Sequence, residues 1–479
     1  MHTPYPALRN TVAKPAKTPA PRPPLYLSAE ERASQGRSLR NIAPRSAHAG
    51  WHAPKIRRNP VDILSESNAG RIEHLVPIRF GRMSQSPFAF YRGAAAIMAA
   101  DLAQTPTSGL YVQACGDAHL MNFGGFATPE RNVVFDINDL DETLPAPFEW
   151  DVKRLAASVV IAAKHIALPM SDAARIVNDL VREYREKMSD YAGMRALDVW
   201  YDKIDLQNYT HRTTDPQVLR RARKRLAQRI EQEQRKSHPD IMYPKLVVHD
   251  GVEPKIKDEP PLIFHTTEML TPGVQSDYAA VIETYRQSLP EHIRMLFNRF
   301  HYRDLALKVV GVGSVGTMCG VALFMAGDQD PLFLQVKEAR KSVLEPFAGK
   351  STYPNQGQRV VHGQRLIQTA SDVFLGWTRG ISGRDFYIRQ LRDLKLSAII
   401  EDWDTETMRH YAKMCAHALA RAHARSGDPA MISGYIGTSK SFDEAIGEFA
   451  VEYAAQNSLD YRTFIRAIRQ GKIQAQMDA

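Results

Sequence analysis

Apolar positions change period along the 479-residue chain, and the change divides it. In the stretch 61–108, SPFAFYRGAAAIMAADLA spaces Ala, Ile, Met and Leu for a buried helix entered through Ser86-Pro87. GLYVQACGD predicts an apolar strand ending at Gly116, and NVVFDI a second, β-branched strand after the turn ATPERN. In FEWDVKRLAASVVIAAKHI, residues 148–166, apolar residues recur every three or four positions, as in a helix. Helices are expected through 171–234, and 238–290 reads as a Pro-rich, irregular linker or insertion.

The texture then turns to β. ALKVVGVGSVGTMCGVALFMAGDQDPLFLQVKEA predicts strand, glycine turn, strand, polar turn at 327–331, strand. Further strands are expected near 359–369 and 385–391. A helix returns over 404–425 with Met408, Tyr411, Met414, Cys415, Ala418, Leu419 and Ala422 on one stripe, stopped by Gly427 and Pro429. Two more helices, near 441–456 and 460–470, close the chain.

Composition narrows the class. With 44% apolar and 24% charged residues the chain can bury a sizeable core, and its length suggests ~2–3 structural units. It lacks any run of 18 uncharged apolar residues, so no membrane span is expected; the start has no signal-peptide block, making the cytoplasm the default. Cys115, Cys319 and Cys415 are scattered and suit a reducing compartment. Residues 1–60 carry eleven Lys and Arg against Glu30 and Glu31, which accounts for the whole net charge of +9. With ten prolines and few large apolar residues, 1–60 reads as a disordered, solvated basic tail. Nucleic acid or anionic lipid would be met only through that tail, because the remaining chain is electrically balanced.

The chemistry concentrates in two remote places. Cys115-Gly-Asp-Ala-His-Leu-Met-Asn122 offers Asp117 and Asn122 on one loop, and Asp136 follows at the end of VVFD. Phosphoryl-transfer sites of the protein-kinase type use one Asp to orient the acceptor hydroxyl, and an Asn with a second Asp to hold magnesium. Asp139 and Asp141 leave the choice of Asp136 as metal ligand open. His119 has no second histidine at ligand spacing and is expected to hydrogen-bond to loop backbone, while Asp151 is expected to brace the loop from a helix start. Far downstream, Gly311, Gly313, Ser314 and Gly316 form G-x-G-x-x-G between two strands, the arrangement that covers ATP phosphates. On the third strand, Phe333, Gln335 and Lys337 share one face and Leu332, Leu334 and Val336 the other, which aims Lys337 at phosphate. Its acid partner would be Glu345, less readily Glu338.

SPFAFYRGAA, CGDAHLMNFG, VFDINDLDETLPAPFEWDVKRLA, LQVKEA and GQRVVHGQRLIQ together resemble domain-of-unknown-function family 2252, an uncharacterised bacterial family, over roughly residues 60–470. That family is similar to the protein-kinase-like superfamily, aminoglycoside phosphotransferases included, whose loop reads His-Gly-Asp-x-His-x-x-x-Asn. The resemblance implies Asp117 as catalytic aspartate, Asn122 and Asp136 as metal ligands and Lys337 as phosphate lysine. Cys115 replaces the first loop histidine, and Ile-Asn follows Asp136 where Phe-Gly is usual.

The motif order is that of a circular permutation, since the catalytic loop precedes the glycine loop and the long helix. Gly427 should then lie near Tyr111–Cys115. The expected fold is α+β, kinase-like and two-lobed, in four parts: the tail 1–60, a helical lobe over 61–295, an antiparallel β lobe over 296–395, and helices from 396–479 completing the helical lobe. The expected function is ATP- and Mg²⁺-dependent phosphotransfer to a hydroxyl of a small molecule or protein, with adenine against a hinge near 386–392. The rivals are a silent nucleotide-binding scaffold, AMP transfer, and a metal-dependent hydrolase using His119.

Overall fold

The computed structural model describes residues 27–206, 224, 227–233, 235, 239–250, 253–260, 262–266, 274–309, 311, 313, 315–328, 330–391 and 394–477. It is a mixed α+β chain built on several small antiparallel sheets.

One part is helical. Its centre is Phe148–His165, in which every residue from Phe148 to Ala163 is buried; Met170–Gly193, Thr405–Ser426 and Ser441–Arg469 pack around it. Set into it are two small sheets. Strand β1 (Tyr111–Ala114) pairs with β4 (Leu144–Pro147); β2 (Phe123–Ala127), β3 (Val133–Ile137), β5 (Ile204–Asp205) and β14 (Lys395–Ser397) run in the order β14-β2-β3-β5. The predicted helices at 441–456 and 460–470 are one helix. Its polar middle is tied down, with Asn457 donating to Pro87 O and Asp460 paired to Arg57.

The other part is a six-stranded sheet. Its order is β12 (Gly376–Arg379), β13 (Asp385–Gln390), β11 (Pro331–Glu338), β10 (Cys319–Met325), β9 (His301–Lys308) and β8 (Ile263–Phe264). Alternation assigns its two faces. Val321, Leu323, Met325 and Phe333 pack with Met242, Val247 and Ile256, whereas Ala322, Phe324, Leu332 and Leu334 pack with Tyr285, Leu289 and Phe297. The second group comes from helices Val274–Ser288 and Glu291–Phe297. Helix Pro239–Leu246 and the hairpin β6 (Val247–Asp250) with β7 (Glu253–Ile256) supply the first. The stretch 238–290 is therefore no linker: its described residues cover the sheet.

Two other expectations change. The strand expected near 359–369 is the helix Gln356–Ile367, capped by Asn355 and burying Val360, Val361, Gln364 and Ile367 at helical spacing. The tail reading fails for 27–60. Helix Ala29–Ser38 starts at a Ser28/Glu31 capping box and crosses Pro429–Ile436 at contact distance. A Cβ at Gly36 would lie 2.0 Å from Met431 O, so only glycine allows this approach. Arg32 pairs with Asp428, and Arg40 and Arg45 cap carbonyls of Gly434, Tyr435 and Ile436. These basic residues dock the segment onto the C-terminal helices, whereas 1–26 lie outside the described residues.

Gly427 lies near Tyr111–Cys115, as expected. Gln113 N donates to Ser426 Oγ at 3.1 Å, and a Cβ at Gly427 would lie 2.8 Å from Val112 Cγ1.

Arg57 joins Asp101 at 2.6 Å and Asp460 at 2.7 Å, all three nearly buried. Arg57→Ala leaves two buried carboxylates uncompensated and should cost about 3–5 kcal/mol in denaturant titration. Arg58→Ala breaks only an exposed pair with Glu66 and should leave the midpoint unchanged.

Candidate active site

The motif loop 115–122 is held from below by helix Phe148–His165. Asp151, in its first turn, accepts from Cys115 N at 2.6 Å and Gly116 N at 3.0 Å, as the sequence suggests. It is itself fixed by His423, 3.2 Å away, which Tyr184 OH meets at 2.8 Å. Gly116 takes φ +80°, and a Cβ there would meet Glu142 O at 2.5 Å. His119 accepts from Met121 N through Nδ1, and burial pushes its pKa well down, so it serves the loop backbone.

Asp117 faces a cleft of about 180 Å³ whose lining also includes Asn122, Asp139, Asp141, Glu142 and Gly313. Arg154 Nε donates to Asp117 Oδ1 at 2.7 Å, and Asn122 Nδ2 donates to Asp117 O at 2.9 Å. Burial raises the Asp117 carboxyl pKa against the pull of Arg154 and Arg92.

Lys337 reaches the same place from β11. Its Nζ lies 2.8 Å from Asp141 Oδ2 and 3.7 Å from Asp139 Oδ1, and over the Tyr387 ring. Burial alone would depress the lysine, but the two carboxylates hold it well above its ordinary value. Burial pushes Asp141 up, but Lys337, the Tyr387 OH that donates to it at 2.5 Å and Arg389 together hold it below its ordinary value. Asp139 is raised by burial and by the Asp141 charge, and its Oδ1 is buried without a hydrogen-bond partner among the described residues. Two close carboxylates sharing one ammonium, with an amide from Asn122 in the same cleft, make a hard-oxygen set that suits Mg²⁺. Among the described residues no three His, Cys, Asp or Glu side chains gather as a metal cluster.

Two predicted site residues stand elsewhere. Asp136 is fully buried in β3, paired with Arg421 and accepting from Ile137 N, Thr369 N and Thr369 Oγ1, so the cleft does not contain it. The reason is local: all five residues of VVFDI are buried, with Gly124 opposite Asp136, and only past that strand does an acid emerge. Glu345 opens the short helix Glu345–Ala348 and meets Gln356, while the partners of Lys337 are Asp139 and Asp141. Glu338 lines the cleft but pairs with Arg384.

The glycine loop joins β9 to β10. Gly313 lines the cleft, Gly311 is nearby in the loop, and Ser314 lies outside the described residues. Gly316, at φ +82°, accepts from Ile72 N, and Arg71 donates to Val315 O at 2.6 Å. Of the hinge expected near 386–392, residues 386–390 belong to the interior strand β13, which pairs with β11 and β12; 392–393 lie outside the described residues.

Sequence reasoning missed the groups that aim these acids. Arg359 is buried and donates to Asp141 O at 2.8 Å and Thr143 O at 2.6 Å. Arg154 sits one helical turn after Asp151 (i, i+3), on the same face of its helix, and that spacing was a readable signal.

The family model for an uncharacterised protein conserved in bacteria, DUF2252, matches residues 71–467. The chain belongs to the DUF2252 family. No curated protein and no solved structure matches it. The match takes in the motif loop, the glycine loop and Lys337, so every cleft acid named above lies within the DUF2252 region.

Glu142 is raised to about 6, chiefly by burial, although Val343 N donates to it. Because its folded pKa lies above the ordinary 4.5, its contribution is largest below pH 4.5 and is lost as pH rises to about 6. Glu142→Gln should remove that loss. The wild-type minus variant stability, measured across this window, should fall with pH.

Proposed function

We propose that this protein is an ATP- and Mg²⁺-dependent phosphotransferase with a circularly permuted, kinase-like two-lobe fold, acting on a hydroxyl. The observation that carries the reading is Lys337 at 2.8 Å from Asp141, which lines a cleft together with Asp117, Asn122 and Gly313. An ammonium, two carboxylates and an amide from remote segments form the set that positions a triphosphate, and chain order has no part in such a constellation. The contact of Gly427 with Val112 supports the permuted connection.

In this reading Lys337 neutralises the α- and β-phosphates, and Gly311–Gly316 cover them with backbone N–H groups. Asn122 and Asp139, with Asp141 beside them, hold Mg²⁺, and Asp136 drops out of that role. The metal supplies charge neutralisation of the phosphoryl oxygens. Asp117 is held through Oδ1 by Arg154, which leaves Oδ2 for the acceptor hydroxyl. It takes that proton as the new O–P bond forms and the β–γ bridging oxygen leaves with its electron pair. A carboxyl pKa raised by burial makes it the better proton acceptor.

Thermal unfolding with ATP and Mg²⁺ tests this. At ~100 times Kd, ATP should stabilise the protein by about 2.7 kcal/mol, a shift of a few degrees. Lys337→Ala should lose the shift. Asp117→Asn should keep it while losing transfer of labelled phosphate by about 10²-fold or more. No stabilisation of the wild-type protein would remove the basis of the proposal.

A further inference from the structure

One wall of the cleft supplies none of the groups assigned to the nucleotide, although its Arg71 holds Val315 of the glycine loop. It is lined by Arg71, Arg79, Arg92, Arg340 and Lys341. The cleft acids draw their ion partners from other residues: Asp117 from Arg154, Asp141 from Lys337, Glu338 from Arg384. Among the described residues none of the five wall cations is paired with a carboxylate.

Several are spent on backbone. Arg71 bonds Val315 O, Arg340 bonds Ser67 O and Ala69 O, and Arg79 bonds Gly93 O and Asn68. These contacts fix the guanidinium groups in place without a direct carboxylate partner. Arg79 is 3% exposed, yet its Nε, like that of Arg92, is buried without a hydrogen-bond partner among the described residues. Converging cations with unused buried donors are costly unless an anion completes them.

Position decides which anion. Arg92 follows Tyr91, whose carbonyl accepts from the same Arg154 that holds Asp117, and Arg79 donates to Gly93 O, whereas Lys337 stands with Asp139 and Asp141. The Arg79–Arg92 end of the wall therefore flanks the place where the acceptor hydroxyl would lie, while Arg71 stands at the glycine loop. We infer that Arg71, Arg79, Arg92, Arg340 and Lys341 form an oxyanion subsite, so that the acceptor carries a phosphate-like dianion beside the hydroxyl it presents to Asp117. This rests on the phosphotransferase reading for the word acceptor; the anion subsite itself does not.

Isothermal titration of the full chain with inorganic phosphate, at saturating ADP and Mg²⁺, tests it. The wild-type protein should bind phosphate, and Arg92→Gln should weaken that binding by about 10-fold or more, the scale of a lost charge-assisted hydrogen bond. Lys341→Ala, at an exposed position that should not disturb folding, should weaken it in the same direction. ADP affinity should stay within about twofold in both, a readout that also verifies the fold. No phosphate binding by the wild-type protein, or binding that neither variant weakens, overturns the subsite. A variant that weakens ATP but neither ADP nor phosphate also overturns it, by assigning the wall to the nucleotide's own terminal phosphate. If ADP and ATP never bind while phosphate binds and Arg92→Gln abolishes it, the subsite stands and the phosphotransferase reading falls.

Discussion

The contact between Lys337 and the Asp139–Asp141 pair joins the six-stranded sheet to the helical part of the chain at the point where the cleft opens. An ammonium in so little water is tolerable only beside carboxylates, and two carboxylates this close are tolerable only beside a cation. Each half therefore makes the other's charge affordable. Tyr387 and Arg359 then set the position of Asp141 through its side chain and its carbonyl. The arrangement satisfies one carboxylate well and the other poorly: Asp139 Oδ1 is buried without a hydrogen bond among the described residues, with Lys337 only at 3.7 Å.

What was legible in the sequence was whatever depends on local period or on a loop's own geometry. The buried centre of Phe148–His165, the alternation of β10 and β11, the bracing by Asp151 and the backbone role of His119 all follow from neighbours close in the chain. Two of the misreadings share one source, namely side chains whose partners come from far away. VVFDI looks like a strand that ends in an exposed acid until Arg421 and Thr369 enclose Asp136. Residues 27–60 look solvated because few of them are large and apolar, yet their arginines find helix-end carbonyls about 390 residues later. RVVHGQRLIQT carries both periods over so short a span, and the Asn355 cap settles it as helix.

The N-terminal segment 67–79 does work that composition does not suggest. Arg340 and Arg384 grip carbonyls of Ser67, Ala69 and Gly70, while Val315 of the glycine loop is buried against Leu75 and Ile78. The segment thus ties the glycine loop to the helical part and brings Arg71 and Arg79 to the cleft wall. A site made from four remote stretches in this way has its charges set by folding rather than by any single motif. That is why the motif acids and Lys337 could be named from sequence while the arginines around them could not.

The central claim is that Asp139, and not Asp136, completes a Mg²⁺–nucleotide site with Lys337. Mn²⁺ in place of Mg²⁺ lets that be read directly, by electron paramagnetic resonance of the bound ion with ATP present. The account predicts one bound Mn²⁺ that requires ATP and is lost in Asp139→Asn. A wild-type protein that retains no Mn²⁺ with ATP, or an Asp139→Asn variant that binds it equally well, would contradict it.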